Sequence, residues 1–331
     1  MSFLFPSSTI TFEAALRDLG SKNAKARAMA AQALGDVTDP VEKQRAVDAL
    51  VRALDDDRPE VRMEACAALG ELREPGAVAA LVRRLADGAP PVRQSAAIAL
   101  GTIGHPDGFE PLAEALREGP PDLRFQAATS LAEIDPARAF ELVLAALGDR
   151  DAEVVGAAAL SVGAIAKQDA DKRPRAVAAL TDKLAHPEAS TRFDVAYALA
   201  ELADPTGRKE LTAALPDLDR AWDAVSALAE LKATDELARA ITAKQTPGEA
   251  RVLAAGRLLA LGGGDDSTRA VLLDALGARK MHVRGLAVEQ LAEVGGAWAK
   301  APLERLARSG KASELVEAIA AALRAIEERA R

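Results

Sequence analysis

A unit of about 31 residues returns along almost the whole chain, and this repeat constrains the fold more than any other feature. It reads as an apolar residue, Arg, small residues at fixed offsets, then Leu-Gly. The clearest copies are Val61-Arg62…Ala65…Leu69-Gly70, Val92-Arg93…Ala96…Leu100-Gly101 and Leu123-Arg124…Ala127…Leu131-Ala132. Their arginines lie 31 residues apart, twice in succession. Upstream stands Arg27…Ala30…Leu34-Gly35. Downstream stand Val154-Val155…Val162-Gly163, Arg192…Leu199-Ala200, Ala221…Leu228-Ala229, Arg251…Leu258 and Arg284…Leu291-Ala292. Ser313 to Arg331 fits a last copy without the Arg. Spacings drift between 29 and 37 residues, and the longest gap holds a charged insertion, Lys167-Gln168-Asp169-Ala170-Asp171-Lys172-Arg173.

Each unit contains two helical patterns. Val78, Leu81, Val82 and Leu85 fall at i, i+3, i+4 and i+7, and Phe109, Leu112, Ala113 and Leu116 repeat the spacing, as do Phe140, Val143, Leu144 and Leu147. The second pattern carries its own stripe, Val61, Ala65, Ala68 and Leu69. No segment alternates polar and apolar residues over a strand length. Prolines punctuate the series: Pro40, Pro75, Pro106, Pro136 and Pro205 follow second helices, and Pro59, Pro91, Pro121 and Pro187 mark turns inside units. Adjacent small residues (Ala65 and Cys66, Ala96 and Ala97, Ala127 and Ala128) allow close helix approach. The pattern predicts an all-α chain, an α-solenoid or superhelix of about nine stacked helix pairs. Residues 1–11 read as an N-terminal tail and 12–331 as a single solenoid domain. Phe3, Phe5 and Phe12 are expected to cap the first layer, and the helix ending Glu327-Glu328-Arg329 the last.

Composition fits this plan. A single large core at 331 residues would lean on big aromatic anchors, yet aromatics are only 3% of the chain. Thin layers that meet only their neighbours do not need them. The net charge of -8 argues against a nucleic-acid binder, which needs a basic face for phosphates. The single cysteine, Cys66, rules out an intrachain disulfide framework and fits a reducing compartment. The start, Met1-Ser2-Phe3-Leu4-Phe5-Pro6, is a poor signal peptide, and no run approaches the ~20 apolar residues that cross a bilayer. A cytoplasmic protein with no membrane partner is the expectation.

The unit Asp/Pro-x-Val-Arg-x-x-Ala-Ala-x-Ala-Leu-Gly resembles the HEAT-like repeat family first named from phycobilisome lyases, over about residues 24 to 300. The resemblance implies a stack of HEAT-like helix pairs. It leaves function open, because such folds host many roles.

The arginine column (Arg27, Arg62, Arg93, Arg124, Arg192, Arg251 and Arg284) admits two readings. One is an anion-binding ladder. The other, favoured by the resemblance, is a chain of hydrogen bonds from each Arg to a carbonyl or acid of the neighbouring unit. Val155 and Ala221 interrupt the column, so those joints should lack the link.

If Val61, Ala65, Ala68 and Leu69 are buried, the opposite wall of the second helix carries the offsets one, two, five and nine after the Arg. In the resembling family these positions line the concave surface. Offset one holds Met63, Phe125, Phe193 and Trp222 among its residues, and offset five holds Ile98, Leu160 and Tyr197. Phe125, Phe193, Tyr197 and Trp222 would form an aromatic patch over the middle units. Exposed aromatics suit a partner groove; they could equally fill a widened gap around 167–173. Offset nine brings Asp36, Glu71, Glu133, Glu201, Glu230 and Glu293, and offset two adds Glu64, Asp194 and Asp223. Acid near a helix C-terminus opposes the macrodipole, so its recurrence reads either as a functional cost or as a solvated edge. Together these columns outline an acidic groove suited to a basic, partly apolar segment.

Catalysis finds little support. His105 and His186 precede Pro in turns, His282 stands apart, and no metal-ligand spacing, phosphate-binding Gly loop or reactive cysteine pattern occurs. Cys66 falls on a small core offset, and Leu261-Gly262-Gly263-Gly264-Asp265-Asp266 reads as a loop. The expected function is a protein-interaction scaffold or adaptor without a cofactor, with an unidentified protein partner or a second copy in the groove. The alternative that the resemblance supplies is a bilin lyase-like or other small-ligand handler. A di-iron hydroxylase would need several His-Glu pairs, and an alkylpurine DNA glycosylase a basic groove; the chain offers neither.

Overall fold

The computed structural model describes residues 10–309 and 313–330. Among these there are twenty α-helices, and no strand. Contacts gather the chain into two compact units, 1–179 and 180–331, divided within one helix. The first unit holds α1 (Phe12–Asp18), α2 (Ala24–Gly35), α3 (Pro40–Ala53), α4 (Pro59–Leu72), α5 (Val78–Arg84), α6 (Pro90–Ile103), α7 (Phe109–Glu118), α8 (Pro121–Ile134), α9 (Pro136–Ala146) and α10 (Ala152–Gln168). The dividing helix is α11 (Arg173–Lys183). The second unit continues with α12 (Ala189–Glu201), α13 (Arg208–Ala214), α14 (Ala221–Glu230), α15 (Thr234–Thr242), α16 (Gly248–Ala260), α17 (Asp266–Ala275), α18 (Met281–Val294), α19 (Ala297–Arg308) and α20 (Val316–Arg329). These are ten helix pairs, the Arg-less α19–α20 completing the series.

Within the first unit each even-numbered helix packs on the next, α2 on α4 through α8 on α10. The second unit repeats this from α12 to α20. Each unit is thus an α-solenoid. The apolar stripes read from the sequence form the core: Val61, Ala65, Cys66, Leu69, Val92, Leu100, Leu131 and Leu199 are buried. Phe12 is partly covered, with the Arg45 guanidinium 4.9 Å from its ring centre; Phe3 and Phe5 lie outside the described residues.

Proline fixes many helix starts. Pro40, Pro59, Pro90, Pro121 and Pro136 occupy the first helical position, where a missing N–H costs nothing. Asp39, Asp135 and Asp151 add side-chain caps. Helix ends use a left-handed residue. After α12, α14 and α16, Ala203, Lys232 and Gly262 adopt φ of 59°, 51° and 75°. In each case the next N–H reaches back to a repeat leucine, Leu199, Leu228 or Leu258, at 2.9–3.0 Å.

The Leu-Gly of the motif has a packing cause. A Cβ on Gly70 would lie 3.0 Å from Ala99 Cα, and one on Gly101 2.9 Å from Ser130 Cβ. Successive second helices approach so closely there that a side chain would push them apart.

Five arginines of the column are structural. Arg62 Nε and Nη2 clasp both oxygens of Asp87 at 2.8 Å, while Nη1 donates to Asp56 O at 2.9 Å. Arg27 clasps Asp56, and Arg124 clasps Asp149 in the same way. Arg93 reaches Asp122, and Arg192 reaches Glu210. The acid belongs to the following repeat, whereas the carbonyl belongs to the arginine's own loop. Because Asp56 and Asp87 offer the carboxylate to one arginine and the carbonyl to the next, the bonds form a continuous chain.

A second link, on the odd-numbered helices, escaped the sequence reading. The Phe-Glu pairs Phe12-Glu13, Phe109-Glu110 and Phe140-Glu141 each meet an Arg of the next odd helix: Arg45, Arg138 and Arg175. The guanidinium covers the ring, at 4.0 Å for Arg138 over Phe109, and pairs with the glutamate. The charged insertion folds onto the same link, with Lys172 Nζ 5.7 Å from the Phe140 ring centre.

Candidate partner-binding surface

The wall that faces away from the packed stripes is carried by the second helices of each pair. In the first unit, Ile98 on α6, Phe125 on α8 and Leu160 on α10 remain exposed, Phe125 at 38%. They occupy offsets five, one and five on consecutive packed helices, and positions one and five share a helix flank. Large apolar side chains are thus left in water on neighbouring helices. Met63, one repeat before, is only partly exposed, and its carbonyl accepts the Ser95 hydroxyl at 3.0 Å.

Acids stand on the same series of second helices. Glu133 is exposed, and Glu71 lies with Asp36 and Glu64. Burial, then the charges of Asp36 and Glu64, push the Glu71 carboxyl above its ordinary range. Glu71 and Glu133 both sit over a glycine of the preceding second helix. A Cβ on Gly35 would lie 2.5 Å from Glu71 Oε2, and one on Gly101 3.0 Å from Glu133 Oε2. The offset-nine acid therefore has a packing reason as well as a surface.

The aromatic patch is divided. Phe125 belongs to the first unit, whereas Phe193, Tyr197 and Trp222 belong to the second. Phe193 departs from the expected exposure. It is only 7% exposed and joins the core of its unit. The Arg220 guanidinium, 5.3 Å from its ring centre, covers it, and Tyr197 packs beside it with ring centres 6.4 Å apart. Tyr197 is partly buried. Trp222 remains on the surface at 46%, beside exposed Asp223 at the start of α14. Leu218, in the loop before α14, is more exposed still; it lies outside any helical period, so the offsets missed it. Glu230 is exposed at the end of α14, and Glu201 is partly covered at the end of α12. Asp194 is partly covered too. Burial raises its carboxyl, and Arg220 opposes the rise.

Residues that carry chemistry elsewhere are spent on structure. Cys66 is buried, and burial pushes its thiol up to about 12, so it is a core residue. His105 and His186 accept the backbone N–H two residues on, at 3.3 and 3.2 Å. His282 bonds Glu249 at 2.7 Å. Among the described residues no three His, Cys, Asp or Glu side chains gather as a metal-holding group. No helix there is long and apolar enough to cross a membrane.

Comparison with known proteins agrees with the repeat reading. HEAT repeats match residues 12–101 and 109–172, and the PBS lyase HEAT-like repeat matches 92–118. No curated protein sequence matches the chain. Among solved structures, a chain of the Kap95:Nup1 complex superimposes with a TM-score of 0.61 at 14% identity, over 96% of this chain and 57% of that one. Importin beta does so with a TM-score of 0.56 at 13% identity, over 95% and 52%. The complex of CpcE and CpcF of phycocyanin lyase from Nostoc sp. PCC7120 is 23% identical over 82% and 97%, with a TM-score of 0.41. At these identities the first two likenesses are of fold alone. Repeat register, family matches and helical packing agree: residues 12–172 carry HEAT-like repeats, with one match of the phycobilisome-lyase type over 92–118.

Proposed function

We propose that the chain is a protein-binding scaffold that takes a basic, partly apolar segment on the exposed wall of its second helices. The observation that carries this reading is the row Ile98, Phe125 and Leu160 on three consecutive packed helices, with exposed Glu133 on the middle one. A folded chain gains little by leaving such a row in water, whereas a partner that covers it gains the burial of all three. Charge points the same way. The crowding of Asp36, Glu64 and Glu71 is unfavourable without a partner and is relieved by lysine or arginine. In the second unit Trp222 and Asp223 offer the same pairing of ring and acid. A chain of this fold sits in a protein assembly in the Kap95:Nup1 complex. The role is binding rather than catalysis.

Affinity capture from cell extract, followed by cross-linking and mass spectrometry, tests the reading. Wild type is run beside Ile98→Ser/Phe125→Ser and beside Trp222→Ser. The wild type should hold a partner through a Lys/Arg-rich segment with apolar residues, and folded Ile98→Ser/Phe125→Ser should lose it. A partner held equally by both, or bound through an acidic segment, would overturn the proposal.

A further inference from the structure

Among the described residues the arginine ladder stands open at Arg251. Arg27, Arg62, Arg93, Arg124 and Arg192 each close on a carboxylate of the following repeat. Arg251, on α16, closes on none among the described residues, and its buried Nε has no partner. The cause is visible in the next repeat. Asp56, Asp87 and Asp149 stand in loops of one length, Leu54 to Arg62, Leu85 to Arg93 and Leu147 to Val155. The loop from Leu276 to Arg284 has that same length, with Ala278 in the place of the aspartate.

The backbone around Ala278 keeps the acid-bearing form. Its N–H bonds Ala275 O at 3.1 Å, as the N–H of Asp87 bonds Arg84 O at 3.0 Å. Arg284 Nη1 donates to Ala278 O at 2.6 Å, as Arg62 does to Asp56 O and Arg93 to Asp87 O. At the closed rungs the carboxylate also accepts the N–H two residues on, from Arg58, Ala89 or Asp151, at 2.8–3.0 Å. That position is Lys280 here. The two other places from which rungs are closed, occupied by Asp122 and Glu210 elsewhere, carry His282 and Val271. Glu249, on the arginine's own helix, is engaged by His282. Exposed Arg279 adds a cation to the loop, while Lys280 Nζ lies 3.6 Å from Glu249. The loop entering α16 adds Thr246, 2% exposed, whose hydroxyl has no partner.

We propose that the joint between α16 and α18 is a carboxylate-binding site. An acid from outside the chain takes the place that Asp56, Asp87 and Asp149 fill in their own joints, held by the Arg251 guanidinium and the Lys280 N–H. The ligand chemistry is a single carboxylate, from a free organic acid or from a glutamate or aspartate of a bound protein. The site stands apart from the exposed wall and does not depend on the scaffold reading.

The test is a titration of the full ¹⁵N-labelled chain with sodium formate against sodium chloride at equal ionic strength, read at the Arg251 Nε–H and Lys280 N–H signals. Formate should shift both saturably in the wild type, and chloride should not. Ala278→Asp, which supplies the acid internally and copies a sequence that folds three times in this chain, should show the shifted positions without formate and no further response. Arg251→Gln should lose the response. A short end-blocked peptide with one glutamate separates the sources: tighter binding than formate assigns a protein side chain, and equal binding a free acid. Absence of a saturable shift with either probe, or an unchanged response in Ala278→Asp, overturns the proposal.

Discussion

Asp87 shows what one residue does in this molecule. Its side chain is 4% exposed, and both its oxygens are held by Arg62. That arginine, more than any other group, draws its carboxyl below the usual range. A depressed carboxyl contributes stability above its unfolded value and loses it as pH falls through the folded one. Melting should therefore weaken on acidification below about pH 4, and Asp87→Asn should cost about 2 kcal/mol at neutral pH and flatten that acid limb. An acid limb as steep as the wild type's would show that other carboxylates carry it. The arginine column was legible, because repetition itself marks it; its partner was read only as a carbonyl or acid of the neighbouring unit, and the Leu-x-Asp that supplies it came from the structure. The fate of Phe193 was not. Its offset matches Phe125, but helical period does not report that Arg220, from the next repeat, covers the ring. The two phenylalanines should separate in denaturant melts: Phe193→Ala should cost about 3–5 kcal/mol, and Phe125→Ala within about 0.5.

At the scale of the element, helix ends decide more than helix interiors. Ala203, Lys232 and Gly262 occupy one left-handed position, which favours glycine by about 1 kcal/mol over a residue with a Cβ. Ala203→Gly should then raise the denaturant midpoint, and Gly262→Ala should lower it. The opposite pair of signs would mean that the turn is held by its neighbours rather than by its own dihedral angles. The helix pairs, their breaks and their buried faces could be read directly, since period 3.6 and proline act within a few residues. The Phe-Glu to Arg link between odd helices could not. The arginine lies on a different helix from its Phe-Glu pair, 28 to 35 residues away, and three copies in which each partner is a common residue type make no visible pattern.

For the whole molecule, the relevant physics is that layers interact mainly with their neighbours, so damage to one layer spreads only as far as its joints. The chain divides into two compact units, and the ladder is interrupted at Val155 and Ala221. Such a chain should respond locally to a lesson in packing. Gly207, in the short turn before α13, is a suitable place to apply it. A Cβ there would lie 2.7 Å from Ala196 Cα, closer than backbone tolerates, so Gly207→Ala must force α12 and α13 apart. The expected cost is about 1–3 kcal/mol. Hydrogen exchange read by mass spectrometry reports where that cost is felt. The amides of α12 to α14 should lose protection severalfold, while those of α2, α4 and α6, closed by the Arg27, Arg62 and Arg93 rungs, should keep theirs. Equal loss along the whole chain would mean that the two units unfold as one cooperative body, and that neighbour contacts alone do not set its stability.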